Sequence, residues 1–174
     1  MVLPSTFVLY ATYRYGWDSK TVGLTLAMVG ACAMVVQGLA IGPIVRLLGE
    51  RRALVLGLCC GAIGFVIFGI APTGPLSWLG IPAMSLWGVS GAAIQSLMTR
   101  LVAPDQQGQL QGANSSVQSV SQLIGPFLFT LTFSYFIGAS APWHLPGAPF
   151  LLAAVLMVVS IAIAARTLAA AKTA

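Results

Sequence analysis

The chain has 174 residues, of which 58% are hydrophobic and 6% charged, with a mean hydropathy of +0.94. A soluble domain carries about 25% charged residues, so a water-soluble globule is excluded. The net charge of +5 does not point to nucleic acid, because the eight basic residues are scattered over several short loops and form no continuous patch. Anionic lipid headgroups are the expected partners of such loops.

The charges leave long stretches untouched. Thr21 to Val45, Ala53 to Thr99 and Gln106 to Ala165 contain no Asp, Glu, Lys or Arg. Since about 20 apolar residues cross a bilayer as helix, these runs predict one, two and two crossings. Residues 2–13 are apolar but reach about 18 Å as helix, short of the core thickness of about 30 Å, and read as the tail of a helix whose beginning is missing. Full spans follow at 22–45, 53–71, 76–99, 109–137 and 149–168. The second stops at Pro72-Thr73-Gly74-Pro75, a turn no helix continues through, and the third carries a possible kink at Pro82. The fold class is therefore all-α, a multi-pass bundle in the lipid bilayer. Met1 to Tyr13 lacks the basic start and small-residue cleavage pattern of a signal peptide.

Alternate loops set the orientation. Arg46, Arg51, Arg52, Arg100, Arg166 and Lys172 lie on one side, Arg14 and Lys20 on the other. The basic excess places the first side, with the C-terminus, in the cytoplasm. Trp78 and Trp143 then fall near outer span ends, as interfacial aromatics do.

The spans differ in polarity. Residues 53–71 contain no Ser, Asn or Gln, and a helix apolar all round is expected to face lipid on most sides. The last span is similarly plain, with Ser160 inside it. The fourth is not. Gln111, Asn114, Ser115, Gln118, Ser121 and Gln122 recur at helical spacing and share one stripe, with Ala113, Val117, Val120 and Ile124 opposite. Hydrocarbon does not satisfy such groups, so the stripe serves either as glue between helices or as a translocation surface. Gln37 and Gln95, single amides within spans, carry the same two readings.

Other features are read as structural. Gly57-x-x-x-Gly61 and Gly38-x-x-x-Gly42 are expected to pack helices closely. Cys32, Cys59 and Cys60 lie inside apolar runs and act as small apolar groups. His144, beside Pro142 and Pro146, is a solvated loop residue, and the turn 17–20 closes a hairpin. No nucleophile–base pair, phosphate loop or metal cluster occurs, so neither an enzyme nor a cofactor is expected.

Three segments together carry a resemblance. The loop Gly42-Pro43-Ile44-Val45-Arg46-Leu47-Leu48-Gly49-Glu50-Arg51-Arg52 resembles the cytoplasmic loop motif of the major facilitator superfamily in its second-half copy. Gln107-Gly108-Gln109-Leu110-Gln111-Gly112 and Ile124-Gly125-Pro126-Phe127-Leu128-Phe129 are similar to the entry and core of helix 11 in its tetracycline-resistance-like drug antiporters. Arg14-Tyr15-Gly16-Trp17, Val22-Gly23 and Gln95 fit as well. The likeness runs from the end of helix 7 through helix 12.

It implies the C-terminal six-helix half of a twelve-helix transporter, its first helix truncated, with a small-molecule substrate held between the halves and a missing N-terminal half as partner. Gln37, Gln95, Asn114, Ser115, Gln118 and Gln122 become the candidate cavity lining, Gly42, Arg46, Gly49, Arg51 and Arg52 the cytoplasmic loop motif, and Gly125-Pro126 a break in the fourth span. The chain departs from the pattern where the loop's usual acid is Arg46, and where the intramembrane Asp and His of tetracycline antiporters align with Gly61 and Ala33. A proton-coupling group is thus expected outside these residues. The alternative is a stand-alone membrane scaffold whose stripe holds a partner helix.

Overall fold

A computed structural model describes residues 3–138 and 145–173, with side chains over 6–138 and 145–167. Pro142, Trp143, His144 and the side chain of Lys172 lie outside the described residues. Among them the chain is helical, without strands, as the all-α reading requires.

Helix α1 spans Leu3–Tyr15 and ends at Gly16, whose φ of +63° turns the chain while its N–H still bonds Thr12 O at 3.1 Å. Asp18 opens α2 (Ser19–Leu48) as an N-cap, accepting from the Thr21 N–H at 2.9 Å. One residue, Gly49, then separates α2 from α3 (Glu50–Ile70). Its φ of +76° and ψ of 157° suit glycine and reverse the chain at once. The Pro72-Thr73 turn leads to three helical pieces, Gly74–Trp78, Gly80–Leu86 and Gly88–Arg100, which follow one another with turns at Leu79 and Trp87 and together form α4. A 3-10 turn at Pro104–Gln106 starts α5 (Gln107–Ile137), and α6 is Ala148–Thr173. By length and composition, Ser19–Leu48, Glu50–Ile70, Pro104–Ile137 and Ala148–Thr167 suffice to cross a membrane.

Three expectations fail here. The helix α5 runs unbroken through Gly125-Pro126, where a break was expected. Proline removes one backbone donor, and in a helix this long the carbonyl of Gln122 simply goes without it while the ladder continues on both sides. The interruptions fall in α4 instead, at Leu79, three residues before Pro82, and at Trp87.

The second correction concerns α3. Read as lipid-facing, it is the central helix of the bundle, packed between α4 and α6, with half of its apolar window buried. Glycines make this possible. A Cβ on Gly57 would meet Ser90 N at 2.5 Å, one on Gly61 the Met157 Cε at 2.5 Å, and one on Gly64 the Met84 Cγ at 2.5 Å. Gly57-x-x-x-Gly61 is thus a packing face, as expected. Gly38-x-x-x-Gly42 is not, because space is open around both residues.

Two cores form. At the end carrying the aromatic residues, Phe7, Tyr10, Phe65, Phe68, Ile81 and Phe150 belong to one cluster. Nearer the arginine-bearing end, Ala53, Leu54, Val89 and Ala93 make a second. By contrast, 6% of the apolar window is buried in α2 and in α5.

The aromatic end is clasped by side chains. The last carbonyls of a helix lack intrahelical donors, and those of α3 receive theirs from α1. Tyr10 Oη donates to Phe68 O at 2.8 Å, while Arg14 Nε and Tyr15 Oη donate to Ala71 O at 3.1 and 2.9 Å. Trp17 lies against Gly74, and Trp78 Nε1 donates to Thr25 Oγ1 at 3.3 Å. Replacing Tyr10 with phenylalanine keeps the ring contact with Phe150 (4.8 Å between centroids) and strands a buried carbonyl. The expected loss is about 1 kcal/mol, read as a lowered unfolding midpoint of the chain in lipid nanodiscs.

Candidate functional site

Among the described residues, the polar stripe of α5 has no cover. Gln111, Ser115, Gln118, Ser121 and Gln122 are exposed and Asn114 is partly buried. The opposite face is equally bare, with Val117, Val120 and Ile124 exposed. What holds α5 to the bundle lies near its far end, where Phe133 is buried against Tyr13 with ring centroids 6.0 Å apart.

The serines and the amides of α5 fare differently. Ser116, Ser119 and Ser121 donate back to Gly112, Ser115 and Val117 carbonyls at 2.8–2.9 Å, all within the helix. Among the described residues, no bond links Gln111, Asn114, Gln118 or Gln122 to another helix. Glue within this six-helix bundle is therefore not what the stripe supplies. Its four amide side chains face whatever adjoins the bundle.

The other two amides lie elsewhere. Gln37 is exposed and sits in a π-helical turn, Val36–Ala40, inside α2. Its Cγ lies 3.8 Å from where a Cβ on Gly88 would be, beside the α4 turn at Trp87. Gln95 is partly buried on α4, and its carbonyl accepts from Thr99 Oγ1 at 2.8 Å. Gln37 thus lies close to α4, while the α5 amides stand apart from both.

At the arginine end, Arg46, Arg51 and Arg52 are exposed. Glu50, read from sequence as one more loop charge, is instead a tie. Its carboxylate accepts from Ser96 Oγ at 2.6 Å and pairs with Arg100 Nη2 at 2.8 Å. An acid in the first turn of α3 and a base in the last turn of α4 each suit their helix dipole, and Ser96 and Arg100, four apart, share a face. The signal was present: α3 and α4 form a hairpin whose charged ends must meet. The aromatic clasp had no comparable signal, since side-chain-to-carbonyl bonds across 56 to 58 residues leave no local pattern.

No intramembrane ion pair supports the amides. Among the described residues the acids are Asp18 at an N-cap, Glu50 at a helix start and Asp105 in the 3-10 turn. Hydrogen bonds from the Thr21 side chain and backbone hold the Asp18 carboxyl below its ordinary range. No group of three or more potential metal ligands occurs among the described residues.

Residues 1–173 match the Major Facilitator Superfamily. The chain belongs to this superfamily. Within it, similar curated proteins include a tetracycline resistance protein, class G, of Vibrio anguillarum, 35% identical over 140 residues, which cover 79% of this chain and 35% of that protein. The class B protein of Escherichia coli is 32% identical over 137 residues, covering 76% and 33%. A human protein, hippocampus abundant transcript-like protein 1, is 26% identical over 174 residues, covering 92% and 34%. The chain thus spans about a third of the length of the relatives it matches. No solved structure matches. As a superfamily member the chain is a multi-pass membrane protein, and its apolar α2, α3, α5 and α6 agree with that.

Proposed function

We propose that these residues form the second six-helix half of a secondary transporter that exports a drug or another small molecule, with no enzymatic step. The observation that carries this is the α5 stripe: four amide-bearing side chains without a partner among the described residues, in a helix that hydrocarbon would not tolerate on that face. An N-terminal six-helix half is the partner that shelters it, and the gap between the halves is the cavity. Gln37, Gln95, Asn114, Ser115, Gln118 and Gln122 are this half's share of the lining. The arginine end, with Arg46, Arg51, Arg52 and Arg100, faces the cytoplasm of a bacterial inner membrane by the basic excess of its loops, and the C-terminus lies on that side. The likeness to tetracycline resistance proteins supports drug efflux. The intramembrane segments hold no Asp, Glu or His, so proton exchange would rest on a group in the other half.

Half a cavity transports nothing. Liposomes containing residues 1–174 alone are expected to show no gradient-driven uptake of a tetracycline or of a lipophilic dye. The two-half assembly is expected to take up one of them until the proton gradient is collapsed. Vectorial uptake by the chain alone would overturn the proposal.

A further inference from the structure

The second half of α2 differs from every other stretch of the bundle. The π turn at Val36–Ala40 precedes an eight-residue α-helical segment, Ile41–Leu48. The cause is visible three residues past the π turn. Pro43 has no N–H for the carbonyl of Leu39, and its ring presses on that same carbonyl. Widening the turn relieves the pressure, and the Ile41 N–H reaches back five residues to Val36 O. Such turns are rare and mark bends. Gly38 inside the turn and Gly42 just past it have open space where a Cβ would lie, so neither is packed against a neighbour, while Val36 at the start of the turn rests on the core at the arginine end.

The far end of the segment is just as loosely joined. Gly49 alone links it to α3, in a conformation with φ of +76°. Immediately beyond, the chain is fixed: Glu50 is held by Ser96 and Arg100. Between these two points Ile41–Leu48 makes no side-chain hydrogen bond among the described residues. One side, Ile41, Ile44 and Val45, rests on the core at the arginine end. The other carries Arg46 and Leu47, which is 85% exposed. The contact is apolar and partial, hence able to slide.

We infer that Ile41–Leu48 is a swinging arm, pivoted at the Val36–Ala40 π turn and at Gly49, moving against an α3–α4 hairpin that the Glu50–Arg100 tie keeps still. Gln37 lies inside the first pivot and near the α4 interruption at Trp87, with its Cγ 3.8 Å from where a Cβ on Gly88 would be; there Trp87 N bonds Met84 O and Ser90 N bonds Trp87 O, both three residues back. The geometry makes Gln37 a positioning residue for the arm. This inference rests on the α2 geometry and not on the transport reading, so the two fail separately.

The test is a pair of distance distributions measured by spin labels on the chain in lipid nanodiscs, with Cys32, Cys59 and Cys60 replaced by alanine. One pair of labels, at Leu47→Cys and Leu101→Cys, spans arm and hairpin. The control pair, at Arg52→Cys and Leu101→Cys, lies within the hairpin. The arm pair is expected to give a distribution about twice as wide as the control, as hinge motion requires. Pro43→Ala restores the missing donor. It should let the turn revert to α-helix, rotate the arm by about 100° about its axis, and move and narrow the first distribution while leaving the second unchanged. Gly38→Ala, which meets no neighbouring atom, should narrow it too and serves if Pro43→Ala does not fold. Gln37→Ala should widen it. An arm distribution as narrow as the control, or one indifferent to both pivot substitutions, would overturn the inference.

Discussion

Replacing Gly57 with valine is expected to unseat α3 from α4. The would-be Cβ lies 2.5 Å from Ser90 N and 3.0 Å from Ser90 Cα. These are backbone atoms, so no rotamer change relieves the clash and one helix must move away. That movement opens the core at the arginine end, where Ala53 and Leu54 meet Val89 and Ala93, and pulls on the Glu50–Ser96 bond. Overpacking typically costs about 1–3 kcal/mol, and a backbone collision at the central helix belongs at or above the top of that range. Thermal unfolding of the detergent-solubilised chain, followed by size-exclusion profile, should show a large loss for Gly57→Val. Gly91→Val is the control, since Gly91 sits on α4 with nothing within 4 Å. Equal stability of the two variants would remove α3 from the centre of the bundle's energetics.

The second large effect is functional. In the two-half assembly, Gln118→Leu is expected to cut export about fivefold to tenfold, the equivalent of about 1–1.4 kcal/mol for a lost intramembrane polar contact. Gln118 is exposed, and among the described residues no group bonds its amide. On the proposed two-half arrangement its polar partners, whether substrate, water or the other half, lie across the gap. Ser160→Leu on α6 is the matched comparison. Ser160 Oγ already donates to Leu156 O at 2.9 Å within its own helix, and the residues around it, Val155, Val158 and Val159, present an apolar exposed face. Leucine there should alter export less than twofold. Export assays normalised to membrane expression decide it: equal losses for the two variants would leave the stripe without a functional role.

How far the sequence reveals all this depends on what each signal measures. Charge-free length identifies helices well, because membrane insertion depends on it directly. Burial is another matter. A helix without polar groups looks the same whether lipid or protein surrounds it, and α3 was misplaced for that reason. Its glycines held the answer, since Gly57 and Gly61 meet Ser90, Trp87 and Met157. Yet the identical spacing at Gly38 and Gly42 meets nothing, so spacing alone does not decide.

Proline is similarly ambiguous. Pro126 leaves α5 continuous, whereas Pro43 follows a π turn and Pro82 follows an interruption. All three lose one hydrogen bond, and tertiary surroundings settle where the strain is taken up. The polar stripe was legible in full, because a periodicity of identical chemistry survives without knowledge of neighbours. What lies against it is not, because among the described residues no other helix of this bundle bonds its amides.

The clasp at the aromatic end bears on how the bundle is made. Tyr10, Arg14 and Tyr15 precede α3 in the chain, so during synthesis the donors have left the ribosome before the carbonyls of Phe68 and Ala71 exist. The Tyr10–Phe68 bond is buried, so once the bundle closes no water reaches the Phe68 carbonyl. The order of residues thus supplies each acceptor with a ready mate as it emerges, and α3 docks with its frayed end already matched.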